Sequence, residues 1–183
     1  RRLNKTMKKL IAGDIVPGEG ISILKLGMSK EEVFQVIGNE YETDDWGDVY
    51  IENAAIIFNK QGNVRMLLVF DDFEGKFMGK IGIGNTLEEI EERIGKYEEA
   101  SETYPLYTLT EYPGITFQLN DEEEEIETEE EERKLPVVVI TVFDTKDVEN
   151  DIYVHIEGTE DDAEEKPEEN KKSFWRKILE KII

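Results

Sequence analysis

The chain has 183 residues, enough for one medium domain or two small ones. It carries 44 acids against 22 bases, and its net charge of −22 sets it against nucleic acid phosphates and anionic lipid and toward basic partners. It has no cysteine, which excludes disulfides and thiolate metal sites and fits a reducing cytoplasm.

The first 19 residues form a basic segment, "RRLNKTMKKLIAGDIVPGE". Its apolar patch is shorter than the core of a signal peptide, and no later run approaches the roughly 20 apolar residues of a membrane span. Position 1 is not Met, so the chain reads as a fragment or starts elsewhere, with Met7 as one candidate.

A first α/β unit is expected over 20–72. It opens with "LGMSKEEVFQVIG" (26–38). Ser29 followed by Glu32 has the spacing of a capping box, in which hydroxyl and carboxylate satisfy the free amides of the first turn. Val33 and Ile37 give one buried stripe, and Gly38 suits the left-handed residue that stops a helix. A helix of about nine residues does not persist alone, so it must lie on a sheet. "DVYIE" (48–52), "AIIF" (55–58) and "LVFD" (68–71) have the β-branched and aromatic content of strands, with "NKQGN" (59–63) as a tight turn. Trp46 and Tyr50, between helix and hairpin, read as core or sheet cover.

A second unit, 73–144, repeats this order. At a shift of 57 residues Thr86, Glu89, Ile90, Ile94 and Gly95 fall on Ser29, Glu32, Val33, Ile37 and Gly38. Strands follow at "YPLYTLTEY" (104–112), "GITF" (114–117) and "TVFD" (141–144). The shift grows between the last two because of an insertion over 121–134 at the hairpin tip. Ten of the twelve residues from 121 to 132 are acids: Asp121, Glu122, Glu123, Glu124, Glu125, Glu127, Glu129, Glu130, Glu131 and Glu132. Such a tract is either a solvated, disordered loop or an electrostatic finger for a basic partner. The two readings weigh nearly equally, and these ten acids are the candidate partner-binding residues.

Residues 145–170 read as an acidic edge strand, "DIYVHIE" (151–157), and a charged linker. The sign then flips. "KKSFWRKILEKII" (171–183) has five bases and one acid, with apolar residues at helical spacing. A basic amphipathic helix of this kind either folds back on its own acidic body or contacts a membrane, and the net charge favours the former.

Catalytic chemistry has little to work with. His155 is the single histidine and reads as a surface residue, so Ser–His and Cys–His pairs are out of reach. "GKIGIGNT" (79–86) has Leu87 where a phosphate loop needs its third glycine, and Glu88, Glu89, Glu91 and Glu92 repel phosphate. Gly82 and Gly84 read instead as shaping a turn into the helix. "DTKDVENDIY" (144–153) lacks the central Gly and terminal Glu of a calcium loop. No enzyme, metal site or cofactor is expected.

"GMSKEEVFQVIG" resembles the helix signature of the BamE-like and β-lactamase-inhibitor-protein-like superfamily, on Gly27, Met28, Ser29, Val33, Ile37 and Gly38. The second copy keeps the pattern with Asn85 in place of Met. The resemblance spans about residues 20–144 and implies a non-catalytic α/β module that binds proteins. The inhibitors of that superfamily are secreted and disulfide-bonded, which this chain does not match, so no β-lactamase target is implied.

The expected fold class is therefore α+β: two tandem helix-plus-antiparallel-hairpin repeats packed together, an acidic linker, and a C-terminal amphipathic helix. Acidic, cysteine-free composition joined to a binding module points to an immunity protein in the cytoplasm, one that neutralises a basic toxin domain, such as a nuclease. The alternative is a membrane-associated scaffold that uses residues 171–183.

Overall fold

The structure, a computed structural model, describes residues 7–101, 105–120, 126 and 128–146. The chain divides into a compact unit over Arg1–Asp144 and a second over Thr145–Ile183, and every described helix and strand belongs to the first. The expected edge strand at 151–157, the linker to Asn170, the helix at 171–183 and His155 lie outside the described residues.

In chain order the elements are β1 (Asp14–Val16), β2 (Gly20–Ile21), β3 (Leu24–Lys25), α1 (Lys30–Ile37), β4 (Glu42–Thr43), β5 (Val49–Ile51), β6 (Ala54–Phe58) and β7 (Val64–Phe70). There follow β8 (Lys76–Phe77), α2 (Leu87–Arg93), β9 (Tyr97–Glu99), β10 (Leu106–Leu109), β11 (Ile115–Leu119), α3 (Glu129–Glu132) and β12 (Val137–Phe143). The expectation of an α+β fold built from two helix-plus-hairpin repeats is overturned. The described chain is mostly β, and its helices have only 8, 7 and 4 residues. The hairpins seen in the sequence belong to one antiparallel sheet of eight strands, ordered β4-β5-β6-β7-β12-β11-β10-β9. The order reads as two four-stranded meanders joined where β7 pairs with β12. Only a continuous sheet pairs those two long apolar strands on both sides.

A four-stranded sheet, β3-β2-β1-β8, comes from segments that carry no strand signal in the sequence. Its strands have two or three residues each, and β8 joins β1 in parallel. The approach is tight: a Cβ on Gly75 would stand 2.3 Å from the Gly13 carbonyl oxygen, so only glycine fits there.

Both expected capping boxes form. The Ser29 hydroxyl accepts from the Glu32 amide at 3.2 Å, and the Glu32 carboxylate accepts from the Ser29 amide at 2.7 Å. Thr86 and Glu89 do the same at 3.3 and 3.0 Å. Val33 and Ile37 of α1, and Leu87 and Ile90 of α2, are buried against the sheet. Gly84, at φ +89, shapes the entry to α2, where the Asn85 side-chain oxygen accepts from the Gly82 amide.

Register sorts the large sheet into two apolar faces. Val49, Ile56, Leu67, Val142 and Ile115 stand side by side across five strands. They share one core with the buried residues of α1, α2 and the small sheet. On the other face, Ile57, Met66 and Phe143 form one row, and Phe70, Val139, Gln118 and Leu106 another. These residues are also buried, yet none belongs to the core that the described helices share. Gln118 is 3% exposed, and its side-chain oxygen has no hydrogen-bond partner among the described residues.

Candidate partner-binding surface

The acidic insertion is the one candidate site marked by the sequence. Asp121, Glu122, Glu123, Glu124, Glu125 and Glu127 lie outside the described residues. Glu129, Glu130, Glu131 and Glu132 form α3, a single turn with its own capping box: the Thr128 hydroxyl accepts from Glu131, whose carboxylate accepts in return. The described part of the tract is thus structured. Four consecutive glutamates make a helical turn here with the Thr128–Glu131 capping box closing its start and Arg133 and Lys134 offsetting charge at its end.

Contacts on both sides hold α3 against the body. Arg133 pairs with Glu91 of α2, and its carbonyl accepts from the Glu88 amide at 3.3 Å. Leu135 is buried, and Ile126 packs partly against the core. Lys134 reaches back to Glu130 at 2.9 Å, and that hydrogen bond holds the Lys134 ammonium above its ordinary value and the Glu130 carboxyl below it. Burial raises the Tyr107 hydroxyl, and a hydrogen bond to Glu132 raises it further. Burial likewise raises Tyr97, which stands edge-on to Tyr107 with ring centroids 5.5 Å apart. These two tyrosines support β9 and β10 under the glutamates.

The result is a surface wider than the tract. Glu88, Glu91 and Glu92 on α2 are exposed, as are Glu98 and Glu99 on β9, the last strand of the sheet. Glu129, Glu130 and Glu131 continue it. Glu89 turns back into its own helix: hydrogen bonds from Asn85 and the Thr86 amide, with Arg93 at 2.7 Å, lower its carboxyl. The surface can attract cations and steer a basic protein, and its exposed charges remain solvated. The sequence marks the glutamates of α2 only as repelling phosphate and does not join them, or those of β9, to the candidate partner-binding residues. "EEIEERIGKYEE" (88–99) was visible as a charge pattern, but only the packing of α3 beside α2 shows that it continues the insertion.

The opposite end of the sheet carries a second acidic feature, the loop between β4 and β5. Asp44 Oδ1 accepts from the amides of Trp46 and Asp48 at 3.1 and 2.9 Å, and Oδ2 accepts from the Tyr50 hydroxyl at 3.0 Å. Asp48, 5% exposed, accepts from the Phe58 amide at 3.0 Å, where β6 and β7 shift register. Burial pushes the Asp48 carboxyl up to about 6; the Phe58 amide opposes the rise and Asp44 adds to it. Burial also raises the Tyr50 hydroxyl, and Asp44 adds to that shift. Tyr50 is sheet cover as expected, but Trp46 is not: it is 67% exposed at the tip of the loop.

Among the described residues no group of His, Asp and Glu has the arrangement of a metal site, and no helix is long and apolar enough to cross a membrane. No family model matches the chain, and no curated protein matches it significantly. Among solved structures, the crystal structure of the uncharacterized protein yfeY from Escherichia coli is similar, with a TM-score of 0.47 and 14% identity over 70% of this chain and 98% of that one.

Proposed function

We propose that the chain is a non-catalytic protein-binding inhibitor, an immunity-type protein that neutralises a basic toxin domain in the cytoplasm. The observation that carries this reading is the concentration of exposed glutamates on α2, β9 and α3, where Glu88, Glu91, Glu92, Glu98, Glu99, Glu129, Glu130 and Glu131 outnumber the exposed bases Arg93, Lys96 and Lys134. Complementary charge raises the encounter rate with a basic protein, and carboxylates can occupy a groove built for phosphates. The resemblance of "GMSKEEVFQVIG" to the BamE-like and inhibitor-protein signature supports a binding role. A membrane-associated scaffold built on residues 171–183 remains the competing class.

The test is binding kinetics with a basic partner captured from the host. In full-length protein, Glu92, Glu98, Glu99 and Glu130 are each changed to Gln. The association rate is expected to fall about tenfold and its salt dependence to flatten, while dissociation changes little. An unchanged rate with an unchanged salt slope would remove the acidic surface from the reading. This variant is a cleaner test than shortening the insertion over 121–134, because that deletion also removes Ile126 and the Arg133–Glu91 pair.

A further inference from the structure

We propose that the loop between β4 and β5 is a prebuilt anchor for an arginine of a basic protein partner, with the guanidinium stacked on the Trp46 indole beside Asp45 and Glu42. The inference rests on the reading of the chain as a binder of basic protein, and it places a contact at the edge of the sheet away from the acidic insertion.

Four observations carry it. Trp46 is the largest exposed apolar side chain among the described residues. The loop that presents it is held in one shape. Asp44 accepts three side-chain-mediated bonds, its carbonyl accepts from the Gly47 amide at 3.1 Å, and its own amide donates to the Asp48 carbonyl at 3.2 Å. Gly47 completes the turn at φ +82. A loop already ordered loses little entropy when it binds, and an indole on a rigid support is the usual chemistry of an interface anchor.

The third observation is charge. Residues 39–59 contain Glu40, Glu42, Asp44, Asp45, Asp48 and Glu52 and no base. Glu42 and Asp45 are exposed on the hairpin that carries Trp46. The fourth is that a cation already lies against the inner side of the loop. Lys30 of α1 places its ammonium 5.0 Å from the centre of the Phe58 ring, and a Cβ on Gly47 would stand 2.9 Å from it. Arginine fits the outer side better than lysine, because a planar guanidinium stacks on an indole and still donates to carboxylates at its edge.

The experiment titrates full-length protein with hexa-arginine and, separately, hexa-lysine peptides at low ionic strength, by calorimetry. Native protein should bind hexa-arginine more tightly than hexa-lysine. Trp46→Ala should weaken hexa-arginine binding by about 3- to 30-fold, the range a cation–aromatic contact supplies, and shrink the preference for arginine. Trp46→Phe should fall between. In a Trp175→Phe background, hexa-arginine should change the emission of Trp46. Trp46 is exposed, so these variants are expected to fold, and circular dichroism confirms it. If Trp46→Ala binds both peptides as native does, while the four-Gln variant of α2, β9 and α3 loses binding, the anchor is refuted and the acidic-surface reading stands. If native protein binds neither peptide, both fall.

Discussion

At the β4 end of the large sheet Asp44 and Asp48 turn inward and take up backbone amides; at the β9 end Glu98 and Glu99 face solvent beside the glutamates of α2 and α3. Both ends are acidic in sequence, with six acids over 39–59 and six over 88–99. They differ in what the carboxylates do. Inward acids hold a loop and a strand junction in place and lose solvation in doing so. Outward acids make only exposed contacts, such as the Thr110 hydroxyl donating to Glu98 at 3.3 Å and the Arg133–Glu91 pair, raise mutual repulsion, and are tolerated because water screens them. A high acid count is therefore two populations, one that builds and one that is displayed.

The largest effect expected to test this contrast is Asp48→Ala, which leaves the Phe58 amide without its acceptor. It should destabilise the protein by about 1–3 kcal/mol, as should Asp44→Ala. The two share one network, so the double variant should cost less than their sum. Glu98→Gln and Glu99→Gln should each stay within about 0.5 kcal/mol of native. Urea denaturation measures all five, and a costly Glu98 change would erase the distinction.

The pH dependence sharpens it. Asp48 titrates near 6 in the folded protein against 3.8 without the fold. The folded state thus favours the protonated form. That stability is fully present below about 3.8 and is lost as pH rises through about 6. Asp48→Asn keeps an acceptor and no charge. It should match native protein near pH 4 and exceed it in stability at pH 7, in parallel urea titrations. A variant that is weaker at both pH values would show that the charge itself is needed.

Helix caps divide the same way. Ser29→Ala and Thr86→Ala should each cost about 1 kcal/mol of global stability, because α1 and α2 bury side chains in the core. Thr128→Ala should leave global stability nearly unchanged and speed amide exchange only within α3, which buries no residue.

The smallest effects belong to the surface pairs. Arg133→Ala breaks a half-exposed pair with Glu91 and should cost no more than about 1 kcal/mol, less in high salt. Lys134→Gln should give no measurable change in thermal melting, since its partner Glu130 is almost fully in water.

Several parts of this protein were decided within the chain. Ser29 with Glu32, and Thr86 with Glu89, specify helix starts because both partners lie within one turn. The apolar runs at 55–58, 68–71, 104–112, 114–117 and 141–144 mark strands because β-branched and aromatic side chains suit a pleated, buried surface, although β7 starts at Val64 and β12 at Val137, ahead of the runs that mark them. The acidic insertion was visible as a break in spacing. The tertiary structure decided the rest. β1, β2, β3, β4, β8 and β9 have two or three residues each, too few for any periodicity, and exist because a neighbouring strand supplies their hydrogen bonds. The merging of two hairpins into one sheet depends on β7 finding β12, about seventy residues away, a pairing that no local signal encodes. Whether an acid builds or is displayed was likewise set at long range: Asp48 is structural because the amide of Phe58, ten positions on, comes within 3.0 Å of it, and Trp46 is exposed because Asp44 ties the loop short beneath it.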